Sequence, residues 1–411
     1  MEYTPPVGKA NVRGCAPLMA CVRAATSAFA LLAFGLLASV LLFFSVVAAG
    51  GAGKSYFVYI GTYTHTASKG IYAYRFWPSK GNIVALGLAA ETAHPSYLIA
   101  HPNGRFLYAV NEHGSAVEPG DTISSFAIDA KTGKLKLLNP VSSKGIGPCH
   151  IAIDKTGKIL VAANFGSGSV AAFPVYADGR LGEATGFVQH HGSSVNPVSQ
   201  AGPHAHCVVF SPDNRFVIVA DRGLDKVFVY RVDYAAGSLE PNDPPLIALH
   251  PGWGPRHLAF HPNGRYLYAI SEMGSMLTTL DYDASSGALK EVQSISAVPA
   301  GFSGHSASAE VRVDRAGRFV YGSNRGDDSI GVFAVNAADG TLTPVQHVST
   351  QGKTPRSFSL DPTGAYLFAA NQESASVVIF RVDRATGKLT PTGPILTEAT
   401  EPASVLFVAA R

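Results

Sequence analysis

One short pattern recurs six times along this chain: "HPNGR" at His101, "DKTGK" at Asp154, "SPDNR" at Ser211, "HPNGR" at His261, "DRAGR" at Asp314 and "DPTGA" at Asp361. Successive starts are 53, 57, 50, 53 and 47 residues apart. A repeat of this period constrains the fold strongly, because each unit is one supersecondary module that cannot bury its faces alone. Apolar runs flank each turn, as "HLAF" precedes His261 and "YLYAI" follows Arg265. Glycine or asparagine in a polar turn between two such runs predicts strand, tight turn, strand. A third run follows, such as "SIGVFAV" or "SVVIFRV". Then come a turn like "DRATGKL" or "NAADGTL" and a shorter fourth run. Four antiparallel strands in roughly 50 residues make a propeller blade.

Six turns give six blades, and the chain ends supply a seventh. "EPASVLFVA" near the C-terminus resembles the first strand of a unit but has no partner after it. "YFVYIGTYT" and "GIYAYRF" resemble second and third strands with no first strand before them. Joining the ends would remove the open sheet edges of a linear array. The expectation is an all-β, seven-bladed β-propeller over residues 54–411, closed by the C-terminal strand. With 46% hydrophobic and 15% charged residues the chain can fill so large a core.

Residues 1–53 differ from the rest. Lys9, Arg13 and Arg23 precede an uncharged stretch from Ala24 to Gly53. Basic flank, apolar run and small residues at Val47-Ala48-Ala49 read as an export signal. The run is long for one, so a membrane tether through residues 24–53 is the alternative. Either reading places the protein outside the cytoplasm. Beyond that segment only Cys149 and Cys207 remain, too few for a disulfide framework. A net charge of +3 without a basic run gives no case for a nucleic-acid partner.

The repeat allows comparison by column. Five positions before each turn start stand Ser96, Cys149, His206, Arg256, Ala309 and Arg356. Eleven positions after it stand Glu112, Phe165, Arg222, Glu272, Arg325 and Gln372. The first column opens each first strand and the second closes each second strand. The strands are antiparallel, so both columns share one rim of the channel, opposite the turns. Charged residues there do not build a core. Guanidinium groups converging on one mouth suit a carboxylate or phosphate, so the expected partner is a small molecule, an anionic or carbonyl ligand.

His204 and His206 would face one way if both lay in a strand. Zinc would need a third ligand, for which Glu272 and Glu310 are available. No HExxH or CxxC supports a metal, so neither metal nor cofactor is expected, and a general base or hydrogen-bond donor is favoured. The Pro203-to-Ser211 interval exceeds the Pro255-to-His261 interval by two residues, which reads as an insertion pushing histidines into the mouth. His150 and His257 stand one position further along than His206 and should face away from it, as core or blade-contact residues. His101 and His261 belong to turns. No GxSxG elbow is present.

The stretches "GPHAHCVVFSPDNRFVIVADRGLDKVFVYRVD", "GWGPRHLAFHPNGRYLYAISE", "SAEVRVDRAGRFVYGSNRGDDSIGVFAV" and "NFGSGSVAAFPV" resemble the propeller lactonase family. That family includes propeller-type 6-phosphogluconolactonases and a fungal carboxy-muconate cycloisomerase. The resemblance implies seven blades and lactone-opening or lactone-forming chemistry. It points to His206 as a catalytic group, with His204 as the alternative, and to Arg256, Glu272 and Arg325. Arg222 stands where the family pattern suggests a small or apolar residue. The expected enzyme is a lactonase without a covalent nucleophile. Arg256 and Arg325 hold the acidic group and polarise the carbonyl, and His206 or Glu272 deprotonates water. His204, Arg222, Glu112, Glu310 and Arg356 are the candidates for holding substrate. A non-catalytic binding propeller and a muconate-type cycloisomerase remain open alternatives. An exported enzyme would not meet cytosolic sugar phosphates.

Overall fold

A computed structural model describes residues 54–114 and 121–411, and the export segment and tether expected over residues 1–53 lie outside them. The described chain forms seven four-stranded antiparallel sheets. The first blade joins both ends: Pro402–Ala409 is its inner strand, followed outward by Tyr56–Thr62, Gly70–Trp77 and Asn82–Glu91. The other inner strands are Leu98–Ala100, Pro148–Ile153, Ala205–Phe210, Pro255–Phe260, Ala307–Val313 and Pro355–Leu360, in blades two to seven. Each inner strand packs on that of the next blade, and the seventh returns through the first to the second. That ring is the wall of a central channel.

The second strands explain why blades must stack. Phe106–Asn111, Ile159–Asn164, Phe216–Asp221, Tyr266–Ser271 and Tyr366–Asn371 are buried along their whole length. Both of their faces are apolar, so neighbours must cover both. The core is accordingly seven clusters, one at each blade interface, such as Val58, Phe76 and Phe368 between the first and seventh blades. Outer strands such as Leu342–Ser349 are largely solvated.

Two repeated devices set the geometry. The fourth turn residue has φ between 62° and 73° at Gly104, Gly157, Asn214, Gly264, Gly317 and Gly364. Glycine adopts that conformation without strain and asparagine tolerates it. His101 and His261 are turn residues as expected. Each also reaches the next blade's turn, Nε2 lying 3.1 Å from Gly157 O and 2.7 Å from Gly317 O. At the opposite rim an asparagine closes most second strands and grips the preceding blade. Asn164 Nδ2 donates to Ser143 O at 3.1 Å, and Asn324 Nδ2 to Ala297 O at 2.7 Å. The fourth blade substitutes Asp221, which pairs with buried His190 at 2.6 Å.

Candidate active site

The inner strands do not run straight into the channel mouth. In six blades the pairing with the second strand slips at the start of the inner strand, around Cys149, His206, Arg256, Ala309–Glu310, Arg356 and Ala403. A β-bulge leaves an extra residue unpaired and re-aims its side chain. His206, Arg256 and Arg356 are such residues, which is how long polar side chains leave the blade and enter the mouth. No insertion is involved: Ala205 occupies the position of Pro148, Pro255 and Pro355, and Pro203 precedes the strand. His204 lies outside the strand too, so it does not share a face with His206 as i and i+2 would. Its Nδ1 lies 2.9 Å from Phe165 O and its ring stacks on Phe165 at 4.5 Å.

Glu272 is the hub of one half of the mouth. Arg222 Nε donates to its Oε1 at 2.7 Å and Arg256 Nε to its Oε2 at 2.9 Å. Arg325 Nη2 stands 2.9 Å from Oε2 as an ion pair. Each guanidinium is held a second time: Arg256 Nη1 by Ala309 O at 2.8 Å, Arg325 Nε by Ala307 O at 2.9 Å, and Arg222 Nη1 by Ser199 O at 3.0 Å. Across the mouth, Arg356 Nη2 donates to Tyr63 Oη at 2.7 Å, and Tyr63 Oη donates to Glu112 Oε2 at 2.7 Å. Ser96 Oγ also donates to Glu112. His206 stands at the floor, 4% exposed, its ring edge-on to Phe165 at 5.4 Å. A hollow of about 590 Å³ lies on the turn side between the third and fourth blades. Its lining includes Lys158, Asp213 and Tyr234 but no guanidinium or imidazole.

Residues 57–407 match the family described as "Lactonase, 7-bladed beta-propeller". The chain belongs to the lactonase family. Among curated relatives, a 6-phosphogluconolactonase of Bacillus subtilis is 36% identical over 307 residues, covering 75% of this chain and 85% of the relative. Another, from Formosa agariphila, is 35% identical over 311 residues, covering 74% and 86%. The solved periplasmic gluconolactonase of Pseudomonas aeruginosa superposes with a TM-score of 0.80 at 33% identity, covering 87% of this chain and all of that one.

In this lactonase the charges decide what each group can do. Burial pushes the Glu272 carboxyl up, but Arg325, Arg256 and Arg222 outweigh it and hold the pKa down at about 2. Burial, Arg256, His257 and Arg356 keep His206 well below the usual imidazole range, so it is neutral at pH 7. Burial and the neighbouring Arg356 lower Arg256 as well, and burial with Arg256 brings Arg325 down to about 10. Both guanidiniums remain charged at neutral pH.

The structure thus gathers His206, Arg256, Glu272, Arg325, Arg222, Arg356 and Glu112 at one mouth, with His204 beside them on Phe165. Glu310 is not in that group: it lies one layer deeper, 3.0 Å from His257 Nδ1. His150 and His257 are buried blade-contact residues as expected, His150 meeting Cys207 and Val208 of the next blade and His257 meeting Glu310 of the next, but they do not face away from His206. The bulge cancels the alternation that would have turned them away from the axis, and both point into the channel. Tyr63 was missed by column reading because its blade lacks the turn used for alignment. Thr62 pairs with Pro402 as Asn371 pairs with Pro355, which makes Tyr63 the seventh member of the Glu272 column. Pro402 marked that alignment in the sequence.

Proposed function

We propose that this lactonase hydrolyses a lactone carrying an acidic substituent, and that the mouth at Glu272 is its active site. The observation carrying this reading is the charge balance. Among the described residues, the carboxylates that Arg222, Arg256, Arg325 and Arg356 bond at the mouth, directly or through Tyr63, are Glu112 and Glu272, an excess of two positive charges. One offsets the oxyanion that forms on the carbonyl, and the other pairs with the substituent. Glu272 holds the guanidiniums in register and does not act as the base, because both its oxygens are engaged and its carboxyl stays ionised. Neutral His206 takes the proton of the attacking water. We further propose that the protein works outside the cytoplasm, supported by the uncharged leader and the likeness to a periplasmic enzyme. A sugar-acid lactone then suits it better than a sugar phosphate.

The test is turnover on paired lactones with and without an acidic group, for the wild type, Arg256→Ala and His206→Gln. Losing an oxyanion donor costs about 10²–10³-fold in kcat. Arg256→Ala should lose activity on that scale, and the acidic lactone should have the higher kcat/KM. Full activity in both variants, or preference for the neutral lactone, overturns the assignment.

A further inference from the structure

Directly beneath the mouth, the next residue of each inner strand forms a second layer that includes Tyr97, His150, His257 and Glu310. Its rings meet across the channel. Tyr97 and His257, from the second and fifth blades, have centroids 6.1 Å apart, and His150 lies 5.1 Å from His257 and 4.0 Å from Tyr97. Arg312 of the sixth blade donates to Tyr97 Oη of the second at 3.2 Å and reaches Glu310 Oε2 at 3.3 Å. The layer closes the channel as a polar plug. A hollow of about 280 Å³, walled by Ile99, Val209 and Leu258, lies against its other side.

A channel filler does not need a carboxylate. Burying one costs several kcal/mol unless it is fully paired, and the seventh blade carries only Ser357 at this position. Glu310 is 2% exposed and satisfied on both oxygens. Oε1 accepts from Val311 N at 3.2 Å and lies 3.0 Å from His257 Nδ1. Oε2 accepts from Arg312 and, at 3.3 Å, from Ser357 Oγ. With Nδ1–H donated to Glu310, neutral His257 keeps its lone pair on Nε2. Its ring stands 5.3 Å from that of His206, tilted by 65°.

We infer that His257, oriented by Glu310, is a positioning residue for His206. It fixes the ring of the base and sets a buried negative charge behind the place where imidazolium forms. The inference rests on the reading of His206 as the base. As water's oxygen bonds to the carbonyl carbon, its proton passes to His206. The same proton goes to the ring oxygen when the acyl–oxygen bond breaks, so no other reagent is consumed. The positive charge on His206 is transient, and Arg256 and Arg356 act against it, so a carboxylate behind His257 offsets part of that repulsion. Arg256, Arg356, Cys149 and His257 surround His206, while Arg256, Arg312, Glu310, His150, Tyr97 and His206 surround His257.

The test is the pH profile of kcat and KM for the wild type, His206→Gln, His257→Gln, Glu310→Gln and Arg312→Met, each checked for folding by thermal melting. His257→Gln and Glu310→Gln should lower kcat about tenfold or more while KM stays within about twofold. Glu310→Gln removes the stabilising charge, so the acid limb moves to lower pH. Arg312→Met removes the counter-cation and moves it to higher pH. A packing role cannot give shifts of opposite sign. Superimposable acid limbs with kcat intact, in the presence of an inactive His206→Gln, overturn the inference alone. A fully active His206→Gln overturns the reading beneath it. If Glu310→Gln does not fold, Arg312→Met decides, its side chain being 38% exposed.

Discussion

Glu272→Gln separates two roles that a carboxylate could play at this mouth. A holder of guanidiniums must stay ionised, whereas a base must titrate in the working range. The carboxyl is held at about 2 against an ordinary 4.5. At about 1.4 kcal/mol per pKa unit, its ionisation contributes at most about 3 kcal/mol to stability at neutral pH. That is a large share of a typical net stability of about 5–15 kcal/mol. The guanidiniums do not share the gain, since burial and mutual repulsion lower Arg256 and Arg325. The folded carboxyl titrates below the unfolded one. Its contribution is therefore whole above the unfolded value and drains away as the pH falls towards 2. Glutamine has no such term. Denaturant unfolding should show a wild-type advantage of about 3 kcal/mol at pH 7, shrinking to roughly 1.5 kcal/mol at pH 3. In turnover, the variant should lose kcat/KM while its acid limb stays in place. A stability gap unchanged between the two pH values refutes the electrostatic account, and an acid limb that vanishes with Glu272 makes it the base.

Other consequences are simpler to read. Tyr63→Phe removes the hydroxyl linking Arg356 to Glu112. It should raise KM for an acidic lactone more than for a neutral one, with a stability loss of about 1–3 kcal/mol by thermal melting. Deleting residues 402–411 strips the inner strand from the first blade and bares the edge of Tyr56–Thr62. That chain should elute as aggregates in size-exclusion chromatography.

How much of this was legible in the sequence depends on the kind of contact. The seven blades and their closure were legible because turn chemistry is local and repeats: Gly264 or Asn214 is needed wherever φ is positive. The rim was legible because two columns of one repeat must share an edge, which brought Glu272 to Arg256 and Arg325 without any motif. Three things were not. The bulge at His206 and Arg256 leaves no residue signature, so alternation misplaced His257. The bond from Arg312 to Tyr97 spans 215 residues across the channel, and nothing near either residue announces it. The bond from Arg222 to Ser199 depends on a loop whose path no repeat dictates.

A repeat supplies its own control for function. The same backbone position is occupied seven times in nearly the same surroundings, so what the fold requires is what the blades have in common. At the bulge, Ala309 and Ala403 satisfy the fold, which makes Arg256 and Arg356 costs that folding did not demand. Arg256 is 2% exposed and among the largest fully buried side chains of the described residues. Burying a cation there is sustained by direct bonds to Glu272 and Ala309 O, with Glu310 adding a favourable charge, and Glu272 is itself sustained by three cations. The mouth is therefore one unit: removing Glu272 leaves three guanidiniums without their carboxylate, and removing one guanidinium changes the charge balance on Glu272. Substitutions within it should be strongly non-additive. The double variant Arg256→Ala/Glu272→Gln should lose much less activity and stability than the sum of the single variants, whereas strict additivity would mean the groups act independently.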